Sequence, residues 1–400
     1  MRQQPVTHQE NEWAVILAGG DGTRLKSLTR KIAGDERPKQ FCQVLGRTTL
    51  VEETQRRAAL ELARERTLHV VNRLHEPYYA PLLGDEPSAN MVIQPRNLGT
   101  APAILYSLLR ITALDQDAVV ALFPSDHYIS DNRKFMAHIR TALDAAHRRR
   151  DLIILLGIEP ESPEVEYGWI EPNGSVKGAA QVFGVRRFWE KPHQMLAQIL
   201  QLRGCLWNSF VMVASANAWI EIIETSTPDL YSAFAGLSSL FGTRAETRAI
   251  DQLYGRLEEV NFSHRVLALS PERLAVLKVT GVRWNDLGEP KRHGVARHGR
   301  RPATLGRYAA APVRLASSAR RCRAERIKSP PSQHLNSAAN FLAEYPFPLS
   351  TWKRLRFVPQ HPSLHHSDTP FLLAASLSSA VASNHSNTGH NNEEKIRWIR

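Results

Sequence analysis

Several features are scarce in this chain of 400 residues. It holds three cysteines, Cys42, Cys205 and Cys322, too few and too scattered for a disulfide framework or a cysteine metal site. A reducing, cytoplasmic setting is therefore expected. No apolar run approaches the roughly 18 residues that a membrane-spanning helix needs, and residues 1–12 lack the apolar centre of a signal peptide. A soluble, non-secreted protein without a membrane partner is the expectation. The formal net charge of +12 suggests nucleic-acid binding at first sight, but it is not spread along the chain. Residues 291–400 carry 18 Lys and Arg against 5 Asp and Glu, whereas residues 1–290 carry 33 against 34. The body of the chain thus lacks the excess of positive charge by which phosphate backbones are bound, and no nucleic-acid partner is expected.

What the chain does have is one dense stretch, Trp13-Ala14-Val15-Ile16-Leu17-Ala18-Gly19-Gly20-Asp21-Gly22-Thr23-Arg24-Leu25, with Pro38-Lys39-Gln40-Phe41 shortly behind it. The apolar run reads as a buried strand, and the glycine cluster ends it in a loop without side-chain bulk. Such a loop can cradle phosphates: its backbone N–H groups are accessible, and Arg24 and Lys39 supply positive charge. The same glycines also serve in ordinary turns.

Downstream, residues 25–37 read as an irregular excursion before Pro38. Residues 48–66 carry helical spacing with Thr49 as N-cap, and Leu68-His69-Val70-Val71 reads as the next strand, giving a strand–helix–strand unit. His69 is read as a packed strand residue rather than a ligand. Met91-Val92-Ile93-Gln94 is a third strand, followed by Pro95-Arg96-Asn97-Leu98-Gly99-Thr100-Ala101 opening a helix. That opening is either an ordinary cap built on Thr100 or an anion or nucleobase site. Residues 118–123 form a further buried strand delivering Pro124-Ser125-Asp126-His127, and ligands of open α/β sheets bind at that end of a strand. Taken alone, Asp126 there reads more readily as a helix cap than as a ligand, and His127 equally as its orienter or as a packed loop histidine.

A helix over residues 135–150 ends in Arg148-Arg149-Arg150, read as a solvated cap that complements the helix dipole. A strand over 152–158 follows. Glu166-Tyr167-Gly168-Trp169-Ile170-Glu171, taken alone, reads as a surface turn. A strand over 182–188 leads into Trp189-Glu190-Lys191-Pro192, where Glu190-Lys191 alone reads as a surface pair. A helix over 193–202, then Trp207-Asn208-Ser209 with Trp207 in the core, helical patterning over 216–256 without catalytic groups, and a strand over 274–279 complete the body. Asp286 follows in Trp284-Asn285-Asp286-Leu287-Gly288.

Taken in order, these motifs resemble those of the sugar-1-phosphate nucleotidyltransferases: AGGxGTRL, PKQF, QPxN with GTAPAI, PSDH, EYGxIE, FxEKP, WNS and WxDLG. The resemblance runs from about Trp13 to about Arg292, and its PKQF form is most similar to the mannose-1-phosphate guanylyltransferase branch. It implies an α/β, Rossmann-like nucleotidyltransferase fold with a mostly parallel mixed sheet flanked by helices, followed by an irregular C-terminal tail. It also implies GTP and mannose 1-phosphate as substrates, Mg²⁺ as cofactor and a homodimer as the usual assembly. By motif position, the nucleotide would lie against Leu17, Ala18, Gly19, Gly20, Gly22, Thr23, Arg24, Gln94, Asn97, Gly99 and Thr100. The sugar phosphate would lie against Glu166, Gly168, Glu190, Lys191 and Asn208. Arg24, Lys39, Asp126 and Lys191 would be catalytic, and Asp126 and Asp286 would hold the metal. Leu98 stands where relatives carry arginine and Asn261 where many carry an acid, so another nucleotide and sugar pair remains the alternative, as does a nucleotide-sugar-binding protein with impaired turnover.

The expected organisation is a flexible residues 1–11, a catalytic domain over 12–295 and a basic, disordered tail over 296–400. The tail shows neither a hexapeptide repeat nor a cupin-like strand series. Its abrupt change of character is what a frame-shifted or read-through terminus would produce; a genuine basic tail for nucleic acid or acidic lipid is the rival.

Overall fold

The computed structural model describes residues 10–288. The expectations for residues 1–9 and for the tail, Cys322 included, lie outside the described residues.

Eleven strands are described: β1 (Glu12–Leu17), β2 (Thr67–Asn72), β3 (Met91–Gln94), β4 (Val119–Pro124), β5 (Tyr128–Ile129), β6 (Ile153–Ile158), β7 (Gly168–Ser175), β8 (Val182–Glu190), β9 (Leu206–Ser215), β10 (Leu274–Val279) and β11 (Trp284–Asn285). Nine of them form one sheet in the order β3-β2-β1-β4-β9-β6-β10-β8-β7. The pairings leave β8 and β9 running against the other seven. This is the mostly parallel mixed sheet of a Rossmann-like α/β fold. β1 and β4 are buried along almost their whole length because helices cover both faces, which is why they read as continuous apolar runs rather than alternating ones. Trp13 and Val15 join the large core formed with the helices Thr100–Thr112, Ala216–Ser226 and Glu246–Tyr254. The helices Leu50–Ala58 and Asn132–Arg148 pack on the sheet elsewhere.

Two departures from the linear pattern shape the working edge. β7 pairs with β9 as well as with β8, at Trp169↔Trp207 and Ile170↔Leu206. Because β6 already holds one edge of β9 at Trp207, β7 lies along the edge that β4 occupies further on, at Met212–Ser215. The sheet therefore curls, and the start of β7 comes to the region beyond the end of β4. Second, β5 and β11 form a small separate sheet, Trp284↔Ile129 and Asn285↔Tyr128, which ties the segment carrying Asp286 to the one carrying Asp126.

Three local expectations are corrected. Residues 25–37 are not irregular throughout: a helix spans Lys26–Ala33 and stops at Gly34, whose φ of 84° lets its N–H reach back to Arg30 O. Glu166–Glu171 is not a surface turn but the entry to β7, with Trp169 and Ile170 fully buried. Thr100 is the first residue of its helix; the N-cap is Gly99, at φ 84°. Thr49, by contrast, makes a full capping box with Glu52.

Candidate active site

The glycine loop leaves β1 at Leu17 and is pinned on several sides. Ser125 N–H donates to Leu17 O at 3.1 Å and Ala18 N–H to Val70 O at 2.7 Å. Gln40, buried behind the loop, donates Nε2 to Ala18 O at 3.0 Å and Gly20 O at 2.7 Å. This role of Gln40 was not assigned from the sequence, although the residue stands inside the PKQF motif. Gly22 sits at φ 59°, and a Cβ there would stand 3.2 Å from both Pro38 Cα and Lys39 N, so the loop and PKQF pack backbone to backbone. Asn97 joins from the end of β3, its Nδ2 donating to Asp21 Oδ2 at 3.0 Å, while His75 Nε2 lies 3.2 Å from Asp21 Oδ1. Burial holds the His75 imidazole below its ordinary range, against the pull of Asp21.

Gln94 ends β3 beside this loop, where a Cβ on Gly19 would stand 2.8 Å from its Nε2. Gly99 and Thr100 are engaged from another direction: a Cβ on Gly99 would stand 2.5 Å from Val260 O, and Thr100 Oγ1 accepts from Phe262 N at 3.0 Å. Leu98 packs against the large core and its carbonyl accepts from Val260 N. Asn261 caps the short helix Phe262–Arg265 by accepting from His264 N.

Lys39 is the hub of the charged cluster. Its Nζ lies 3.2 Å from Asp126 Oδ2 and donates to the backbone carbonyl of Asp286 at 2.5 Å. Two motifs 160 positions apart in number thus meet on one ammonium group. Asp286 Oδ1 accepts from Tyr167 OH at 3.0 Å and from Gly288 N at 2.9 Å. On the other side, Trp284 Nε1 donates to His127 Nδ1 at 3.3 Å, which leaves the proton of a neutral imidazole on Nε2, 3.5 Å from Asp126 Oδ1. Burial holds His127 neutral, with its pKa lowered to about 4.

The third group gathers around the start of β7. Glu166 stands between two cations, 3.1 Å from Arg24 Nη1 and 3.9 Å from Lys191 Nζ. All three side chains are open to solvent, so the pairs themselves add little stability and leave Arg24 and Lys191 available to a more highly charged anion. Gly168 lies opposite Glu190 in the ladder, and a Cβ there would stand 2.9 Å from Phe188 Cζ, 3.0 Å from Glu190 Oε2 and 3.3 Å from Asn208 Cβ. Burial pushes the Glu190 carboxyl above its ordinary range, opposed by the charges of Lys191 and His264 and a hydrogen bond from Ser263. Asn208 Oδ1 accepts from Phe210 N at 3.0 Å, so part of its amide is committed to the chain turn.

Backbone strain marks the same region. Lys191, Phe210 and Leu287 take φ values of 48°, 56° and 52° without being glycine, a conformation that costs on the order of 1 kcal/mol or more each and persists where surroundings over-determine it. Each follows a motif residue or its neighbour, and none was readable as strained from its residue type. Tyr167, Trp284 and Tyr254 were likewise not singled out for a site role; the first two stood inside quoted motifs, whereas Tyr254 lay in a helix read as having no catalytic group.

Comparison with known proteins comes to the same region of the chain. A family model described as nucleotidyl transferase matches residues 13–293. The chain is 31% identical over 220 residues to the alginate biosynthesis protein AlgA of Pseudomonas aeruginosa, covering 54% of this chain and 44% of that one. It is 30% identical over 292 residues to mannose-1-phosphate guanylyltransferase 2 of Escherichia coli O157:H7, covering 69% and 58%. A crystal structure described as mannose-1-phosphate geranyltransferase from Thermus thermophilus superposes with a TM-score of 0.60 at 28% identity, covering 70% of this chain and 76% of that one. The chain spans about half the length of the curated relatives it matches.

Proposed function

The chain belongs to the nucleotidyl transferase family, and from that premise we propose that it is a mannose-1-phosphate guanylyltransferase, joining GTP and mannose 1-phosphate to give GDP-mannose and pyrophosphate. The observation that carries the reading is the meeting of Lys39, Asp126 and Asp286 beside the glycine loop, with Arg24 and Lys191 facing one carboxylate nearby. The choice of guanine and mannose rests on the PKQF and QPxN motifs and on the names of relatives at about 30% identity.

In this reading an oxygen of the sugar phosphate attacks the α-phosphorus of GTP in line; the new P–O bond forms as the bond to the β-phosphate oxygen breaks, and pyrophosphate leaves. A phosphate monoester is already an anionic nucleophile, so the chain's work is positioning and charge neutralisation rather than proton abstraction. The amides of Gly19, Gly20 and Gly22 with Thr23 face the phosphate chain, and Arg24 exchanges Glu166 for the charge developing on the leaving group. Lys191 holds the sugar phosphate, while Glu166, Glu190 and Asn208 accept from or donate to sugar hydroxyls and Gly168 leaves room for the ring. Leu17, Ala18, Gln94, Asn97, Gly99 and Thr100 border the nucleoside. The carboxylates of Asp126 and Asp286 are hard oxygen donors on two segments that Lys39 ties together, through the carboxylate of the first and the backbone carbonyl of the second, and such donors fit Mg²⁺, which commonly takes one or two carboxylates together with substrate phosphates. When bound, the ion would screen the repulsion between the two phosphate groups.

Pyrophosphate release from GTP and mannose 1-phosphate in Mg²⁺ buffer, with UTP, dTTP, ATP and glucose 1-phosphate as comparisons, tests the proposal. Turnover restricted to a different pair would keep the reaction class and overturn the substrates. A folded protein that binds nucleotide but turns over no pair would overturn the enzyme reading.

A further inference from the structure

We propose that Tyr254 is a positioning residue that fixes which way round the Gln94 side-chain amide stands, so that the nucleotide pocket offers an N–H donor and selects bases bearing a ring oxo group over bases bearing an amino group in its place. The inference rests on the reading of this pocket as a nucleotide site.

Tyr254 is the last residue of the helix Glu246–Tyr254 and is 1% exposed. Its ring packs edge-on against Phe234 at 6.1 Å between centroids, within the large apolar core. Its hydroxyl donates to Gln94 Oε1 at 3.0 Å, and among the described residues that hydroxyl has no other partner. Burial raises its pKa well above the ordinary phenol value, so the proton stays on oxygen at any working pH. The helix end is itself tied to the pocket loop: Arg96, two residues past Gln94, donates Nη2 to Tyr254 O at 2.5 Å.

A buried O–H left without an acceptor costs more than an ordinary hydrogen bond contributes. Turning the Gln94 amide over would set Nε2 against the Tyr254 hydroxyl and strand that proton in an apolar core, so the hydroxyl selects the orientation with Oε1 toward itself. Nε2 is then directed to the opposite side, where it lies against Gly19 and has no partner among the described residues. Gln94 is 2% exposed, so this donor cannot be turned into an acceptor by a simple swing into solvent. A fixed donor discriminates between bases where one carries an acceptor and its competitor a donor: the 6-oxo group of guanine or hypoxanthine against the 6-amino group of adenine, and the 4-oxo group of uracil against the 4-amino group of cytosine. Tyr254→Phe keeps the ring in the core, removes the stranded-proton penalty and lets the amide stand either way.

The test compares kcat/KM for GTP, ITP and ATP with mannose 1-phosphate in the full chain, in Tyr254→Phe and in Gln94→Glu, with thermal melting to confirm that each variant is folded. The unaltered protein is expected to favour GTP and ITP alike over ATP. In Tyr254→Phe the GTP-to-ATP ratio should fall about five- to tenfold, the size of one net hydrogen bond, and the change should lie in KM because the base is remote from the reacting phosphorus. Gln94→Glu, which replaces the donor by an acceptor, should lower the ratio further. A folded Tyr254→Phe with an unchanged ratio, or an unaltered protein that favours ATP over both oxo purines, overturns the proposal. If no nucleotide is turned over, the proposed function fails, and calorimetric affinities for the same three nucleotides decide the role of Tyr254 separately by the same ratio.

Discussion

Replacing Gly168 by alanine probes the proposed sugar side of the site through distances already in the fold. The added Cβ would stand 2.9 Å from Phe188 Cζ, 3.0 Å from Glu190 Oε2 and 3.3 Å from Asn208 Cβ. Phe188 is 4% exposed and packed in the core, and Asn208 Cβ moves only with its strand. The Glu190 carboxylate is the movable neighbour and is expected to give way. Overpacking of this kind costs about 1–3 kcal/mol, which corresponds to a fall in Tm of roughly 2–8 °C. If Glu190 accepts a hydroxyl hydrogen bond from the sugar, losing that charge-assisted contact is worth about 1.5–3 kcal/mol, or about 10- to 150-fold in kcat/KM for the sugar phosphate. The KM for the nucleotide should hold within about twofold, since the glycine loop lies elsewhere on the edge. The assay is pyrophosphate release at varied sugar phosphate and saturating nucleotide, alongside a melting curve. A lowered Tm with unchanged sugar-phosphate kinetics would refute the placing of Glu190 against the sugar.

Arg24→Ala should lower kcat by roughly 10² or more, in line with loss of one preorganised electrostatic donor, measured by steady-state pyrophosphate release; near-normal turnover would remove Arg24 from the chemistry. Lys39→Met should lose a comparable factor and also destabilise the fold, because Asp126 and the Asp286 carbonyl lose the ammonium they share, and melting together with kcat reads both. Asp286→Asn should retain nucleotide affinity by calorimetry while losing Mg²⁺-dependent turnover; full activity would place the ion elsewhere. His69 supplies a pH test: burial lowers its pKa from the ordinary 6.5 to about 4, so the unfolded chain takes up a proton that the folded one refuses. Its contribution to stability is complete above pH 6.5 and declines as pH falls toward about 4, and His69→Gln should flatten that part of the stability profile in denaturant titrations.

Much of this was legible because the signals are local. β3 runs over Met91–Gln94 as the apolar pattern indicates, and β4 and β6 fall within a residue of their expected bounds, since strands buried on both faces write themselves as continuous apolar runs. The capping box at Thr49 is a contact between residues three apart and could be read directly. The helix Lys26–Ala33 was missed because it is only two turns long and charged at Lys26, Arg30 and Lys31, so the apolar spacing of Leu28 and Ile32 is too short a pattern to stand out; Gly34 was the one sign of its end. β7 was missed because its partners, β8 and β9, come later in the chain and nothing local announces the pairing.

The sequence by itself determined the order of motifs, the α/β class and the residue types of the glycine loop, the lysines and the carboxylates, because glycine, lysine and aspartate carry their chemistry wherever the chain puts them. Only the tertiary structure decided which of them meet. That Lys39 joins Asp126 to the backbone of Asp286, that Glu166 stands between Arg24 and Lys191, and that Tyr254 reaches Gln94 all follow from the curl of the sheet, the β5–β11 pairing and the packing of one helix end. Such contacts join segments far apart in the chain, and the free energy that selects them comes from burying the core as a whole rather than from any short stretch of residues.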